Sequence, residues 1–224
     1  LAVTAKDAST NISSSSVVVI VEDSTPPTIL ILGSNPIDIE FGSTYIDAGA
    51  TADDSGVDIT NLITSSTDLN VNALGSYSVI FSVTDSAGNT ASTTRAVSVV
   101  DTIAPTLNLV GANPQFIEAG NDYTELGATS TDNVDIALTI NINLSNLSTS
   151  TLGTSTVVYS VTDSSGNTAS TTRAVVIRDT ITPIITLIGS STVTTEAGLP
   201  YIDAGATAFD SFALDITGSI TTTS

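Results

Sequence analysis

Large apolar residues occupy every second position in several short stretches of the chain. These stretches include Ile29 and Ile31, then Tyr77, Val79, Phe81 and Val83, and finally Val97 and Val99. A period of two places alternate side chains on one face, which is typical of a half-buried β-strand. No stretch keeps a helical period. The pattern therefore predicts an all-β protein.

The strand pattern repeats with a fixed period. Asp23, Asp101 and Asp179 each begin a D-[ST]-x-x-P segment, and each lies 78 residues from the next. The stretches "VTDSAGNTASTTRAV" at 83–97 and "VTDSSGNTASTTRAV" at 161–175 keep the same spacing. An exact repeat of this length indicates tandem copies of one folded unit. We therefore predict two complete modules, at residues 23–100 and 101–178.

The two ends of the chain carry parts of the same repeat. Shifted by 78, residues 1–22 overlay residues 79–100, which predicts that they are the final strands of a preceding module. Residues 179–224 match the first 46 positions of a module and are predicted to be the first part of a further one. Together these segments lack only the ten positions that correspond to 69–78.

Each complete module contains about seven strand-like runs separated by Gly, Pro, Asn and Asp clusters. Many short strands with frequent turns favour a small two-sheet sandwich. The predicted fold class is a set of tandem Ig-like β-sandwich modules with a 78-residue period.

The amino-acid composition excludes several kinds of catalytic and metal site. The chain has no His, Cys, Met or Trp, which excludes a Ser-His-Asp triad and Cys/His zinc ligation. Lys and Arg total 4 against 23 Asp and Glu, for a net charge of −19. This balance argues against nucleic acid and anionic membranes as partners, and it favours cations. No stretch is apolar for about 18 residues, so we expect no direct membrane insertion.

The combined motifs resemble a known family. D-T-x-x-P is followed by "NP", by "YIDAGAT" at 45–51 and 201–207, by V-T-D-x-x-G-N, and by a closing A-x-x-x-R-x-V-x-V. This order is similar to the bacterial and archaeal Ig-like repeat of tandem surface proteins, also found in some pesticidal crystal proteins. The resemblance implies an extracellular, cell-surface or secreted location and a spacer, adhesive or lattice role. It names no distal ligand.

Recurring acidic residues are the candidate site. In an Ig-like module the incoming linker and two loops lie at one pole, and the "E-x-G" turn lies at the other, facing the next linker. The predicted groups at successive junctions are Asp23, Asp54 and Asp85; Glu40, Asp101, Asp132 and Asp163; and Glu118, Asp179 and Asp210. Converging carboxylates favour calcium, as in the junctions of cadherins, which these groups distantly resemble. The alternative is that these residues only cap tight turns.

Two further residue types are notable. Asn11, Asn143 and Asn146 begin N-glycosylation sequons, and the last two lie in a segment expected at an exposed edge. Arg95 and Arg173 share a strand face with Val97 and Val175, so we expect their stems to lie along the rim of the core while their heads reach a nearby acid.

Three functions remain open. The first is a structural, non-enzymatic array in a surface protein, an adhesin stalk, coat or spacer stiffened by calcium, whose partners are neighbouring modules. The second is a filament or surface-layer subunit in which copies join head to tail through the split module. The third is a spacer or carbohydrate-binding module of a secreted enzyme, which the lack of Trp disfavours. We expect no enzyme activity, since the carboxylates recur at every period rather than forming one unique site.

Overall fold

The computed structural model describes residues 1–223, and these confirm the all-β Ig-like class. The chain divides into two compact units, residues 1–102 and the residues from Ile103 onward. Only two short 3₁₀ helices interrupt the strands in the described part, Thr60–Leu62 and Thr217–Ser219. No helix among these residues is long and apolar enough to cross a membrane.

The first complete module is built from two sheets whose strands are mainly antiparallel. Its seven strands are β3 (Thr28–Ile31), β4 (Ile37–Glu40), β5 (Ala50–Asp54), β6 (Val57–Asp58), β7 (Thr64–Thr67), β8 (Gly75–Thr84) and β9 (Thr90–Val100), which follow the hairpin β1 (Ala2–Lys6) and β2 (Ile12–Ser16). One sheet has the order β3-β5-β6 and the other the order β4-β9-β8-β7. β4 runs parallel to β9, whereas β8 and β9 form a long antiparallel hairpin. That hairpin contains most of the buried residues of the module.

The predicted alternation forms the core of this module. Val79, Phe81 and Val97 are buried, and Ile29 and Ile31 pack against them from the facing sheet. The polar residues between them face outward because successive side chains of a strand point to opposite faces.

The second complete module repeats this arrangement, except that none of its described residues forms a counterpart of β6. Its strands are β10 (Thr106–Leu109), β11 (Gln115–Glu118), β12 (Ala128–Thr131), β13 (Asn141–Asn143), β14 (Gly153–Thr162) and β15 (Thr168–Arg178). The sheets are β10-β12 and β11-β15-β14-β13, with β11 again parallel to the last strand. Val157, Tyr159, Val175 and Ile177 form the buried cluster. The 78-residue period is thus also a structural period.

The partial segments form fewer strands than their sequences predict. β16 (Ile184–Leu187), β17 (Ala206–Asp210) and β18 (Leu214–Asp215) make one small sheet, and β1 pairs only with β2. Residues 17–22 and 193–196 correspond to the end of β9 and to β4, yet neither segment is in a strand. Within residues 1–223 no strand takes the place of the neighbour with which each segment's counterpart pairs in a complete module.

Candidate functional site

The T-D-x-x-G-N loop joins the last two strands of a module and is held by one aspartate. In the first complete module Asp85 Oδ1 accepts hydrogen bonds from the amides of Ala87 at 2.9 Å and Asn89 at 2.8 Å. The Asn89 side chain donates to Asp85 Oδ2 at 2.8 Å. Gly88 has a φ of 94°, a conformation that residues with a side chain resist. In this structure the T-D-x-x-G-N motif forms and stabilises a turn.

The environment of Asp85 keeps it ionised. Burial alone would raise the pKa of this carboxyl, but the hydrogen bonds from Asn89 and from the Ala87 and Gly88 amides outweigh burial and lower the pKa. A buried carboxylate that stays charged suits either a turn or a cation.

The same turn forms in all three copies of the loop. Asp163 and Asn167 repeat the hydrogen bonds of Asp85 and Asn89, and so do Asp7 and Asn11. In the first copy Thr10 takes the place of glycine with a φ of 76°. The Asp–Asn pair therefore holds the loop even where the glycine is missing.

Three carboxylates meet beside this loop in the first module. One oxygen from each of Asp23, Asp54 and Asp85 lies within 4.8 Å of the others. The Asn89 side chain also donates to the backbone carbonyl of Asp23 at 3.3 Å, which ties the linker to the loop. Asp54 Oδ1 is buried and accepts no hydrogen bond from the described residues. A buried carboxylate oxygen without a donor is costly unless a cation satisfies it.

The second module shows the same signature at Asp132. Its Oδ2 accepts hydrogen bonds from the amides of Val134 and Asp135, whereas its Oδ1 is buried without a donor among residues 1–223. The amides of Asp135 and Val134 lower the pKa of Asp132. Asp101, the repeat equivalent of Asp23, belongs to the first compact unit and is 7% exposed. Its grouping with Asp132 and Asp163 stays a prediction from the repeat.

Asp135 is a residue that the repeat did not indicate. Its Oδ2 accepts hydrogen bonds from the amide and hydroxyl of Ser164, both at 2.8 Å, and so joins two loops of the second module. The corresponding residue of the first module is Val57. An acid present in only one copy gives no periodic signal, which is why sequence reasoning missed it.

The predicted glutamates contact the outgoing linker. Glu40 accepts hydrogen bonds from the amide and hydroxyl of Thr102, and Glu118 does the same for Thr180. The Thr180 hydroxyl and amide lower the pKa of Glu118. In the described chain neither glutamate belongs to a compact three-carboxylate group. Their visible role is to fasten the linker to the sheet.

The last predicted pair has partners of its own. Asp210 is buried and its Oδ1 accepts the amides of Phe212 and Ala213, while Asp179 Oδ1 accepts the amide of Ile181. Neither belongs to a compact acidic group among residues 1–223. Their role in metal binding stays a prediction.

The arginines lie deeper than a core rim. Arg95 is 1% exposed, and its Nε lies 3.0 Å from Asp47 Oδ2. Its remaining nitrogens donate to the carbonyls of Ser34 and Leu32 at 2.6 Å and of Gly49 at 3.1 Å. The guanidinium thus donates to three backbone carbonyls and pairs with one acid. A buried guanidinium needs such partners because its donors and its charge are removed from water.

Arg173 is fully buried and reaches its acid through a hydroxyl. Its Nε donates to the Tyr159 hydroxyl at 2.9 Å, and that hydroxyl donates to Glu125 Oε1 at 2.6 Å. Its other nitrogens donate to the carbonyls of Ala112, Val110 and Gly127. The expected contact with an acid is direct in the first module and indirect in the second.

The three sequons are exposed. Asn143 ends the edge strand β13, and its Oδ1 accepts the amide of Ser145. Asn146 follows in the next turn, and Asn11 lies in the first copy of the loop, whose sequence is K-D-A-S-T-N at residues 6–11. The segment around Asn143 is the exposed edge that its sequence predicts.

A comparison with known proteins gives one curated relative. An uncharacterised 81.3 kDa protein of Acholeplasma phage L2 is 29% identical over 166 residues, which are 71% of this chain. The chain spans 22% of the length of that relative.

Several solved structures are similar at low identity. A lipoprotein of Bacteroides thetaiotaomicron has 15% identity and a TM-score of 0.32, with 67% of this chain and 80% of that one covered. The M60 catalytic domain of Clostridium perfringens ZmpB with its CBM51-1 and CBM51-2 domains has 14% identity and a TM-score of 0.37, with 85% and 35% covered.

The family comparison matches both complete modules. The model for the Ig-like domain of bacterial surface proteins matches residues 29–99 and again residues 107–177. These ranges begin at the first core strand and end at the last one, and they leave out the two linkers. The chain therefore belongs to the bacterial surface protein Ig-like domain family, with two copies of the domain in tandem.

Proposed function

We propose that this chain is a structural, non-enzymatic array of Ig-like modules in an extracellular or cell-surface protein, where it acts as a stalk, coat or spacer. The observation that carries the proposal is the tandem match to a surface-protein family. The carboxylates that could carry chemistry recur with the repeat, and they hold turns and linkers in each copy. A net charge of −19 also suits an exposed surface that resists nonspecific association.

Labelling of intact cells tests this role. An antibody raised against the 224-residue polypeptide should label intact cells that make the complete protein, and mild protease should remove the signal. Labelling that requires lysis would contradict a surface location. Turnover of a polysaccharide or peptide substrate by the purified polypeptide would contradict a non-enzymatic role.

We further propose that calcium binds beside the T-D-x-x-G-N loop and stiffens the junction. In the first module Asp23, Asp54 and Asp85 would supply carboxylate oxygens, the donor type that calcium prefers. The donor-free Asp54 Oδ1 is the observation that supports a fit. An oxygen that already accepts one hydrogen bond keeps a second lone pair, so Asp85 can hold its turn and still contribute. The ion would neutralise the acids and fasten the linker residue Asp23 to the module.

The repeat extends this proposal along the chain. Asp101, Asp132 and Asp163 would form the second site, and Asp132 Oδ1 lacks a donor just as Asp54 Oδ1 does. Glu40 and Glu118 would act beside these sites by holding Thr102 and Thr180. Asp179 and Asp210 would contribute to a third.

Calorimetric titration of the 224-residue polypeptide with calcium measures the sites directly. We expect heat release, a rise in melting temperature, and loss of one site in Asp54→Asn. The matched control is Asp38→Asn, which removes the same charge from an exposed position on β4. No heat at millimolar calcium, the affinity range of weak extracellular sites, would contradict the calcium proposal and leave the structural role untouched.

A further inference from the structure

An open groove lies on the surface of the first complete module. One wall is the segment that follows β4, residues 42–45, and the other is the end of β7 with the loop after it, residues 67–72. The groove has a volume of about 600 Å³. Sites for small molecules usually have volumes of about 300–1,000 Å³. The groove is therefore large enough for a small-molecule ligand, and residues of a single complete module form both of its walls.

The half-buried part of the groove lining is mainly apolar. Tyr45, Leu69 and Val71 line the groove and are half-buried. Tyr45 and Leu69 also pack against the buried cluster of this module. The Tyr45 hydroxyl donates to Asp47 Oδ2 at 2.6 Å, which fixes the position of the ring. This apolar lining is therefore held in place by the core.

The exposed part of the lining is polar. It consists of Thr44, Thr67, Asn70 and Asn72, together with a glycine. The Thr67 hydroxyl already donates to the Ser78 carbonyl at 2.8 Å. Asn70 Oδ1 accepts the amide of Asn72 at 3.0 Å, a bond that does not use the Asn70 NH₂ group. The Thr44 hydroxyl and the side-chain amides of Asn70 and Asn72 are therefore the groups best placed to bind a ligand.

The two walls of the groove are joined through the backbone. The amide of Gly42 donates to the carbonyl of Val71 at 2.7 Å. On the second wall the amide of Leu69 donates to the Thr67 hydroxyl at 3.0 Å. A groove that is formed in advance loses little conformational entropy when it binds a ligand. The bond between the walls also occupies two backbone groups that an added peptide strand would need here.

The lining of the groove carries no charge. None of its residues is acidic or basic, although the chain has a net charge of −19. This lining does not favour an ion, but it suits a neutral ligand that has both apolar faces and many hydroxyl groups. A sugar ring has both features. Because the chain has no Trp and Tyr45 is the single aromatic residue of the lining, the contact area with a ring is small and the affinity should be low.

The second module does not repeat this chemistry. Asp122, Ser148 and Ser150 occupy the repeat positions of Thr44, Asn70 and Asn72. The hydroxyls of Ser148 and Ser150 contact each other at 3.3 Å. An acid thus replaces a hydroxyl and two serines replace two amides, so the uncharged, amide-bearing lining belongs to the first module alone. A binding function depends on a particular site rather than on the shared fold.

We propose that this groove of the first complete module binds a short neutral oligosaccharide. A sugar ring would lie against Tyr45 and Val71, while Thr44, Asn70 and Asn72 would form hydrogen bonds with its hydroxyl groups. The chain would then hold a glycan in addition to acting as a stalk, coat or spacer. This inference goes beyond the proposed structural role and does not depend on calcium.

Amide NMR spectra of the isotope-labelled 224-residue polypeptide test this proposal. Maltotriose, cellotriose and chitotriose are the neutral probes, each added to about 20 mM, well above a millimolar dissociation constant. At least one of them should shift the amides of residues 42–45 and 69–72, with a Kd of about 1 mM. The corresponding amides of residues 120–123 and 147–150 should not shift. If no probe shifts the first set, or if both sets shift alike, the proposal is overturned.

Two single variants remove polar groups from the groove. Asn72→Ser introduces the residue of the second module, and Thr44→Val removes a hydroxyl at nearly constant volume. Each should raise the Kd about fivefold, because each removes one hydrogen bond to the sugar. Asn61→Ser is the matched control, since it makes the same change at an exposed position outside the groove, and its Kd should equal that of the unmodified polypeptide. Unchanged affinity in both groove variants, or an equal loss in the control, would overturn the proposal.

Discussion

The two complete modules bury the same arginine and neutralise it in different ways. Arg95 contacts Asp47 directly, beside Phe81. Arg173 contacts the Tyr159 hydroxyl, which in turn donates to Glu125. Tyr159 and Glu125 occupy the repeat positions of Phe81 and Asp47. The second module thus has a longer acid together with an added hydroxyl, and the comparison shows that different contacts can neutralise the same buried arginine.

The acid that neutralises the arginine also has different hydrogen-bond donors in the two modules. Asp47 accepts a hydrogen bond from Tyr45 at 2.6 Å, and burial, aided by this carboxylate, raises the pKa of Tyr45 to about 12. Glu125 accepts hydrogen bonds from both Tyr123 and Tyr159. Glu125 therefore keeps two hydroxyl donors if its arginine is removed, whereas Asp47 keeps one.

Replacing the arginine should produce the largest effect. Arg95→Met leaves Asp47 without its cation and removes the arginine donors of three carbonyls, of which Gly49 keeps the amide of Leu32, and it should cost about 3–5 kcal/mol in the free energy of unfolding. Arg173→Met should cost about 1 kcal/mol less, because the two tyrosines still satisfy Glu125. Hydrogen exchange resolved by peptide would report each module separately. Equal costs, or costs below about 1 kcal/mol, would contradict the comparison.

Removing the intermediate hydroxyl should have a smaller effect. Tyr159→Phe deprives Glu125 of a donor and Arg173 of an acceptor, and should cost about 1–3 kcal/mol. Adding Glu125→Asp to this variant recreates the residue pair of the first module and should recover part of the loss. A double variant whose cost equals the sum of the single costs would show that the two positions act independently.

The smallest expected difference between the two modules is in the stability that each loses at low pH. Burial alone would raise the pKa of Glu125, but the hydrogen bonds from Tyr159, Tyr123 and Gly127 and the charge of Arg173 outweigh burial and lower it. A carboxyl with a lowered pKa contributes stability above its unfolded value of about 4.3, and this contribution is lost as pH falls toward the folded value.

Glu125→Gln removes this contribution and provides the measurement. Between pH 7 and pH 3 the second module of this variant should lose less stability than that of the unmodified chain, while the first module should lose the same amount in both. Denaturant unfolding followed by peptide-resolved exchange at each pH would show the difference. If the stability of the second module fell equally with pH in the variant and in the unmodified chain, this prediction would be contradicted.

Local patterns predicted much of the fold. The alternation at 77–83 and at 97–99 identified the hairpin that carries the buried core, since a strand's period of two is visible in sequence. The repeat also placed Asp23, Asp54 and Asp85 at one pole, where the structure brings them together. Asp135 escaped prediction because its link to Ser164 has no counterpart in the other module.

The sequence by itself determined the all-β class, the 78-residue period and the T-D-x-x-G-N turn, because these depend on spacing and on contacts between residues two to four positions apart. Only the tertiary structure decided how each buried arginine is neutralised and which carboxylate oxygens lack donors. Arg95, for example, binds carbonyls 61 and 63 residues away. Such contacts form only when the two sheets pack against each other. The packing, and no local sequence pattern, sets which distant groups come within hydrogen-bond distance.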